Sequence, residues 1–459
     1  MAPSTIFSLA LAVAGVLATP QPARLDYRTI NPAEPAVFGM YSKGAEGNGS
    51  SIPAHVDSPH FRIYLGSSTT EAQATKALKP LEAAYDCFVG KLGFVSSGLH
   101  QYGTPEKGPY YKTEIYMVDT LTNGPEFDGY TQYDTTTGRA WVKIKNGYLE
   151  RPYLSVHEYG HVLHWHQGLR NAWARIPNCQ PWNEALANWV ADVYLTSGDD
   201  VCGPSRTKFD APGGDSVYET YKVVGESYLS IVDATSRTKG NPYQAWPFFQ
   251  YLFRNPDNFE GLGQDVVPAM LRATPDVGTD ETPLHVLQRV MGESRKVQEV
   301  VAKYWARMAN GDIGHESIQK STLDNKQFMH MYNFPNPPQD GAYRVSPDRA
   351  PQYMGATMGK LVMAEGVRRA DVNVTAVNAT MAFTAMFAVR DSATSKVRYQ
   401  TLEGGSGSVD LAATEDATLV VVNTPATLLK YNAGILNMTE AARKLDFSVS
   451  MTGATFAKF

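Results

Sequence analysis

The sequence predicts an α+β fold in which a mixed sheet with helices is followed by a mostly α-helical half and then by a C-terminal β-sandwich. Three observations predict it. Period-two strands and one amphipathic helix occupy the chain to about residue 146, and helical periodicity dominates from there to about residue 309. From about Met354 the chain returns to period-two segments between Gly, Ser, Asn and Asp turns. We place a boundary after residue 345, giving one domain at 59–345 and a sandwich at 346–459.

Length and composition indicate a globular protein of two or three domains. The chain has 459 residues, of which 43% are hydrophobic and 19% charged, and its formal net charge is -5. It contains no block of Lys and Arg, so neither nucleic acid nor a membrane is an expected partner. We expect a monomer.

The N-terminal segment has the pattern of a secretory signal peptide at residues 1–18, with an apolar run too short to span a membrane. Its first residues lack the usual Lys or Arg. Residues 19–58 are rich in Pro, Gly, Ala and Ser, which predicts a linker, an arm that packs on the body, or a propeptide. Four N-x-S/T triplets also favour a secreted glycoprotein, and they begin at Asn48, Asn373, Asn378 and Asn437.

Four elements are predicted before residue 150. Residues 60–66 alternate as a strand, and residues 70–92 repeat apolar side chains at helical spacing. Two further strands are predicted at 111–118 and 138–146.

The stretch from Tyr153 to Asp192 carries the chemistry. His157, Glu158 and His161 form an HExxH pattern, and residues four apart lie on one face of a helix. Both imidazoles can therefore bind one metal ion, with zinc expected, while Glu158 is placed to act on the attacking water. Because the five letters also arise by chance, a helix with two structural His and a surface Glu is the alternative.

A third metal ligand is expected from the next helix. Residues 181–194 have helical periodicity and carry Glu184 in the first turn. Asn188 and Asp192 follow on the same face, and either could orient a ligand His through its second ring nitrogen. As an alternative, Glu184 is only a favourable acid at a helix N-terminus. His164 could line the cleft, but for His164 and His166 a structural role is favoured.

The helical half and the sandwich follow in order. Helices are predicted at 218–232, within the aromatic segment 241–253, and at 266–272, 283–291 and 297–309. Period-two strands are predicted at 381–390, 396–402, 417–425 and 447–456.

Three cysteines leave the disulfide pattern open. Cys179 and Cys202 bracket the Glu184 helix and would make a natural pair that holds this ligand in place. Cys87 is then left as a buried thiol, and the other two pairings remain open.

These motifs resemble the gluzincin branch of the zinc metallopeptidases, in which a Glu from an NExxx-type helix completes HExxH. The resemblance implies a zincin-like core, zinc ligands at His157, His161 and Glu184, and Glu158 as general base. Asn188 departs from the family, which has an acid four residues after the Glu ligand. The metzincin pattern fits worse, since it needs a Gly and a His where this chain has His164 and Gln167.

More broadly, the segments HFRIYLG, HEYGHVLHW, PWNEALANWVAD and LVVVNTP resemble a family of secreted fungal and bacterial zincin-core proteins of undefined function. By resemblance to zincins, residues 140–144 are the candidate edge strand for an extended peptide, and the alternative is an ordinary sheet strand that binds no ligand. Gluzincins also draw a phenol or imidazole from downstream helices to stabilise the oxyanion. Tyr228 or Tyr243 is the candidate here.

The resemblance therefore implies a secreted zinc metalloendopeptidase that acts on protein or glycoprotein. The alternative is a non-catalytic protein on a zincin scaffold whose sandwich binds glycoprotein or cell-wall glycan. A peptidase steered to glycosylated proteins by the sandwich combines both. The intact Glu158 favours the enzyme, since a structural zinc site has no use for a carboxylate that does not bind the metal.

Overall fold

A five-stranded mixed sheet forms the N-terminal layer of the computed structural model. The structure describes residues 34–41, 53–121, 127–134, 138–167, 173, 176–235, 241–274, 279–330, 332–335 and 337–457, with backbone alone at 101–102 and 327–329. The strands up to residue 145 are β1 (His55–Asp57), β2 (Phe61–Tyr64), β3 (Leu99–Thr104), β4 (Gly108–Tyr110), β5 (Thr113–Val118), β6 (Gly129–Asp134) and β7 (Arg139–Lys145). The sheet order is β1-β2-β5-β7-β6, and β3 and β4 form a separate hairpin.

The direction of the strands places β6 at the edge. β2, β5 and β7 run parallel, whereas β6 pairs antiparallel with β7 alone among the described strands. The prediction that residues 140–144 form the edge is therefore wrong, because β7 lies between β5 and β6. The alternation of β7 identifies a strand but says nothing of its neighbours, and the prediction did not include β6.

The first helix and the HExxH helix cover this sheet, and the helix that carries Glu184 packs against the HExxH helix. The helices up to residue 208 are α1 (Glu71–Phe88), α2 (Pro152–Trp165), α3 (Asn183–Thr196) and α4 (Gly203–Lys208). Thr70 caps α1 by accepting from the Gln73 backbone N–H, and Gln73 accepts from the Thr70 N–H in return. α2 and α3 are apolar almost all round, with nearly every residue buried, which marks them as core helices.

The disulfide joins Cys87 to Cys202, with Cα atoms 5.2 Å apart, and Cys179 is a buried free thiol. The predicted pair of Cys179 and Cys202 is therefore wrong. Cys87 lies in the last turn of α1 and Cys202 just before α4, and these two helices pack together. The Cys179 thiol instead donates to the carbonyl of Glu281 at 3.5 Å.

The helical half follows. Its helices are α5 (Asn241–Gln244), α6 (Trp246–Arg254), α7 (Val266–Ala273), α8 (Pro283–Met291), α9 (Val297–Met308) and α10 (Glu316–Met329). The helix predicted at 218–232 is wrong except for one π-helical turn, Tyr221–Gly225. The backbone carbonyls of Ser227 and Tyr228 accept from the N–H groups of Ala356 and Gln352, so the start of the sandwich holds this segment in a non-helical conformation.

Two antiparallel sheets form the C-terminal sandwich. Their strands are β8 (Ala342–Arg344), β9 (Ala356–Met363), β10 (Arg369–Ala376), β11 (Phe383–Asp391), β12 (Val397–Leu402), β13 (Ser406–Asp410), β14 (Glu415–Asn423), β15 (Phe447–Thr452) and β16 (Ala454–Phe456). The orders are β13-β10-β15-β8 and β12-β11-β14-β9-β16. Val372, Phe387 and Leu419 belong to the apolar core between the sheets. The first strand, β8, precedes the boundary placed after residue 345.

The described parts of the N-terminal arm pack on the body. Phe38 is 3% exposed and stacks on Tyr110, with ring centroids 5.3 Å apart. Gly39 forms a bridge with Tyr111, and β1 pairs with β2. The proposed signal peptide and Asn48 lie outside the described residues. Among the described helices, none is both long enough and apolar enough to cross a bilayer.

Candidate metal centre

Three predicted ligands converge between α2 and α3. Glu184 Oε2 lies 3.4 Å from His157 Nε2 and 3.5 Å from His161 Nε2. Among the described residues, these three make the one group of His, Cys, Asp or Glu whose ligand atoms all lie within 4.8 Å of each other. The spacing of HExxH thus places both imidazoles on one face of α2, and the first turn of α3 brings the carboxylate to them.

The separations fit a tetrahedral ion. Zinc binds His nitrogen and carboxylate oxygen at about 2.0–2.2 Å, so two such ligands at a tetrahedral angle lie about 3.3 Å apart. The two N-to-O distances are within a few tenths of an ångström of that value. Two imidazoles and one carboxylate leave a fourth position for water or substrate, which is the ligand set of a catalytic zinc site.

Asn188 fixes the tautomer of His157. Its amide Nδ2 donates to the backbone carbonyl of Tyr243 at 2.6 Å, and a carbonyl can only accept. The amide oxygen must therefore face His157 Nδ1, 2.7 Å away. Nδ1 then carries the proton, and the Nε2 lone pair is left for a metal. Of the two residues proposed to orient a ligand, Asn188 does so.

Asp192 serves a different network. Its fully buried carboxylate accepts from His315 Nε2 at 2.7 Å and from the Ser216 hydroxyl at 2.6 Å. These contacts tie α3 to the start of α10 and to the loop after α4, away from the ligand His pair. Asp192 therefore does not orient a metal ligand.

His161 is oriented by a second imidazole. Its Nδ1 lies 2.9 Å from His164 Nε2. Burial lowers the pKa of His164 well below its ordinary value, with nearby His161 adding to the effect, so His164 is neutral. A neutral His164 can accept at Nε2, which again leaves the Nε2 lone pair of His161 for a metal. The neighbouring His166 is structural, since its Nδ1 lies 2.9 Å from the carbonyl of Val162.

Glu158 lies beside the ligands and is held by the edge strand. The Thr131 hydroxyl on β6 lies 2.9 Å from Glu158 Oε2 and 2.9 Å from its backbone carbonyl. Gly129 is so close that an added Cβ would lie 3.2 Å from Glu158 Cγ. Glu158 is 4% exposed, and burial raises its pKa to about 7, against the opposing effects of His157 and the Thr131 hydroxyl.

The two imidazoles favour the negatively charged form of the Glu184 carboxyl group. Burial alone would raise the pKa of Glu184, but the two facing imidazoles hold it well below its usual range. The His157 and His161 side chains are 7% and 10% exposed, whereas that of Glu184 is 33% exposed. The centre therefore opens to solvent on the Glu184 side.

The two candidate tyrosines lie in different places. The Tyr243 ring lies 6.3 Å from the His157 ring, at an angle of 24°. Tyr228 lies at the junction with the sandwich, where the Arg349 guanidinium sits 4.7 Å from its ring. No described contact joins the Tyr228 side chain to a metal ligand or to Glu158.

Sequence reasoning missed Thr131, Tyr133 and Tyr153. The Tyr153 hydroxyl donates to Asn188 Oδ1 at 2.9 Å, and Tyr133 shares a strand with Thr131. The sequence could have indicated Tyr153, because it precedes His157 by four residues and therefore lies on the same helix face. Thr131 and Tyr133 could not, because their role depends on the placement of β6.

No protein-family model matches the chain, and a search of curated proteins gives no significant match. The function is therefore inferred from the site and the fold alone.

Proposed function

We propose that this protein is a secreted zinc metalloendopeptidase with a gluzincin-like, zincin-type centre. The observation that carries the proposal is the convergence of His157, His161 and Glu184 at the spacing of a tetrahedral ion. Glu158 lies beside them and is not a ligand, which is the arrangement of a hydrolase and not of a structural metal site.

Each residue of the proposed centre has its own role in hydrolysis. His157, His161 and Glu184 would hold the ion, which would lower the pKa of a water ligand towards neutrality and polarise the scissile carbonyl. Glu158 takes one proton from the attacking water and delivers it to the leaving amine. Thr131 keeps the Glu158 carboxylate in place by hydrogen bonding to it.

The edge strand supports an extended peptide as substrate. β6 pairs with β7 and presents its other edge without a strand partner among the described residues. Its face towards α2 contacts Glu158, so a chain added along this edge would pass the metal centre. Protein or glycoprotein is therefore the proposed substrate.

Secretion is part of the proposal. Asn373, Asn378 and Asn437 are all exposed on the sandwich, so these three sequons remain accessible in the folded protein. The Cys87–Cys202 disulfide fits an oxidising compartment.

The test combines metal content with cleavage for three variants. The Glu158→Gln variant should retain about one zinc per chain and lose at least 10²-fold in kcat on casein or a peptide library, since it lacks the base. Glu184→Gln should lose both metal and activity. Glu293→Gln, at an exposed position remote from the centre, is the matched control and should behave like the wild type.

The outcomes separate enzyme from binding protein. Zinc retention with loss of cleavage in Glu158→Gln supports catalysis. If the wild type binds zinc but cleaves no member of the library, the alternative of a protein-binding or glycan-binding role replaces the peptidase. If neither wild type nor variant binds zinc, the metal centre itself is refuted.

A further inference from the structure

We infer that Tyr133 of the edge strand is a catalytic residue whose hydroxyl donates a hydrogen bond to the substrate's carbonyl oxygen as negative charge develops there. This inference rests on the proposed function. It assigns the oxyanion-stabilising role to the edge strand and not to the downstream segments that carry Tyr228 and Tyr243.

The alternation of β6 turns Tyr133 towards the metal helix. Side chains two apart on a strand share a face. Gly129 contacts Glu158, and the Thr131 hydroxyl bonds to it. Tyr133 is the next member of this row, and its ring stacks on Trp165 of α2 with centroids 4.2 Å apart and planes 15° from parallel.

The stack places the phenol at one end of the centre. His157, His161 and Trp165 are spaced four residues apart, so they follow one another along one face of α2. Trp165 is one turn beyond His161, and it is held by its indole N–H, which donates to the carbonyl of Gly138 at 3.2 Å. The ring of Tyr133 is thereby fixed on the metal-facing side of the helix, in line with the two ligands.

The hydroxyl of Tyr133 is available. It has no hydrogen-bond partner in the part of the chain that the structure describes, and the side chain is half-buried. After burial, the two charges that raise the pKa of this phenol are the carboxylates of Glu158 and Glu184. The hydroxyl therefore stays protonated at neutral pH.

The other phenols near the centre are less suited to this role. The Tyr153 hydroxyl already donates to Asn188 Oδ1, and that bond is part of the arrangement that fixes the His157 tautomer. Tyr228 lies under the Arg349 guanidinium at the sandwich junction. Tyr243 approaches His157 through the flat of its ring, and its backbone carbonyl anchors Asn188.

Hydrolysis of the peptide bond at this centre needs no reactant other than water. Attack of water forms one C–O bond and converts the carbonyl into an alkoxide, which then collapses as the C–N bond breaks. Glu158 carries the proton from water to the amine nitrogen. The Tyr133 hydroxyl keeps its own proton throughout and shortens its hydrogen bond only while the oxygen is negative, so it stabilises the transition state more than the bound substrate.

The decisive variant is Tyr133→Phe, which keeps the ring on Trp165 and removes only the hydroxyl. We expect kcat to fall by about 10²–10³-fold, the usual cost of one oxyanion donor, with KM changed by less than about threefold. Zinc content and melting temperature should match the wild type. Tyr332→Phe, which changes an exposed ring outside the centre, is the matched control.

A second readout needs no turnover. A phosphinic peptide mimics the tetrahedral oxyanion, and its affinity for the zinc-loaded protein can be measured by calorimetry. Tyr133→Phe should weaken this binding by about 10²-fold, while binding of the corresponding product peptide stays within about threefold. Equal weakening of both ligands would show that Tyr133 only shapes the cleft and would overturn the inference.

The outcomes for Tyr133 and for the proposed function are distinct. If the wild type cleaves peptides in a Glu158-dependent way and Tyr133→Phe keeps more than a fifth of kcat, the inference fails and the peptidase stands. If the wild type neither cleaves peptides nor binds the phosphinic peptide, both the proposed function and the inference about Tyr133 are refuted.

Discussion

At the scale of single residues, both histidines of the candidate metal centre are oriented by neutral partners. His157 is held by the amide of Asn188 and His161 by the imidazole of His164. A carboxylate in either place would raise the basicity of the ligand and bind the metal more tightly. Neutral partners keep the orientation but would leave a bound ion more electron-poor, which would favour polarisation of a carbonyl over tight retention of the metal.

We predict that Asn188→Ala lowers zinc affinity by about 10–100-fold, the usual effect of removing a group that orients a metal ligand. The substitution removes the acceptor for His157 Nδ1 and leaves the Tyr153 hydroxyl without its partner. Competition with a chelator of known affinity measures the change. Asn325→Ala, on the remote helix α10, is the matched control.

Asn188→Asp separates orientation from charge. The new carboxylate still accepts from His157 Nδ1, but it cannot donate to the Tyr243 carbonyl as the amide does. We expect zinc affinity at or above the wild-type value together with a lower kcat, because a more basic ligand makes the ion a weaker Lewis acid. A loss of affinity as large as that of Asn188→Ala would show that the bond to Tyr243 matters more than the charge.

The sequence was sufficient to predict that His157, His161 and Glu184 come together, but it left the choice between Asn188 and Asp192 open and did not indicate Thr131 or Tyr133. His157, His161 and Glu184 follow from helical spacing and from the first turn of a recognisable helix. The choice of Asn188 over Asp192 depends on how α3 rotates about its own axis, and the two lie on similar faces in the pattern. Thr131 and Tyr133 act through β6, which the strand prediction did not include.

At the scale of elements, a close crossing of α2 and α3 sets the distance between the ligands. Gly160 lies at the crossing, where an added Cβ would stand 3.0 Å from Ala187 Cα and 3.2 Å from Val190 Cβ. The absence of a side chain lets the two backbones approach, and the approach brings Glu184 to the histidines. Gly160 stands next to His161 for this reason, despite its cost in a helix.

We predict that Gly160→Val pushes the helices apart, since the backbone of Ala187 cannot yield as a flexible side chain would. Overpacking of this kind costs roughly 1–3 kcal/mol of the free energy of unfolding, and the wider gap should also weaken zinc binding. Chemical denaturation of the metal-free protein and chelator competition measure the two effects separately. Wild-type zinc affinity in a destabilised variant would mean that the ligands do not depend on the crossing.

The wrong predictions of a disulfide and of a helix have the same physical cause. The predicted Cys179–Cys202 pair used proximity along the chain, whereas α1 and α4 bring Cys87 to Cys202 from a sequence separation of 115. The predicted helix at 218–232 had suitable periodicity, but hydrogen bonds from Gln352 and Ala356 compete for its carbonyls. In both cases a contact between distant segments decides the outcome, and local pattern does not report it.

At the scale of the whole molecule, the sandwich and the helical half share one core. In the five-stranded sheet of the sandwich, the central strands β11 and β14 are buried on both faces. Phe387 and Leu419 face the second sheet, whereas Met386 and Val420 join the core of the helical half. The Trp305 indole of α9 donates to the carbonyl of Met354 at 2.8 Å. The boundary placed near residue 345 is thus a change of secondary structure and not a gap between independent bodies.

An ionic network reinforces this junction. Arg307 of α9 donates to both oxygens of Asp257, at 2.7 and 3.0 Å, and to Asp312 at 2.6 Å. The Tyr399 hydroxyl of β12 donates to the same Asp312 at 2.9 Å. Burial would raise the pKa of Asp257, but hydrogen bonds from Arg307 and Tyr251 outweigh it and leave the pKa below its ordinary value.

The lowered pKa of Asp257 predicts a stability term that depends on pH. Because the folded pKa lies below the unfolded value of about 3.9, the stabilisation is fully present above that pH and is lost as the pH falls through the folded pKa. Asp257→Asn should therefore lower the free energy of unfolding by about 1 kcal/mol at pH 7. The difference from wild type should shrink towards pH 3.

The shared core also predicts that neither half folds alone. A chain ending at residue 337 would expose the α9 surface around Trp305, and residues 338–457 alone would expose Met386 and Val420 on a flat sheet face. Such contiguous apolar surfaces drive aggregation in isolated pieces. We expect each piece to be insoluble or rapidly proteolysed. Co-expression of the two pieces should restore a soluble complex with the protease resistance of the intact chain.

The contrary outcome is a soluble N-terminal piece that melts within about 5 °C of the full protein. Such a shift is worth at most a few kcal/mol, and it would show that the sandwich is an independent domain. In that case the sandwich would not stabilise the candidate metal centre. If the core is shared, the sandwich instead supports the helical half, and α3 packs against that half.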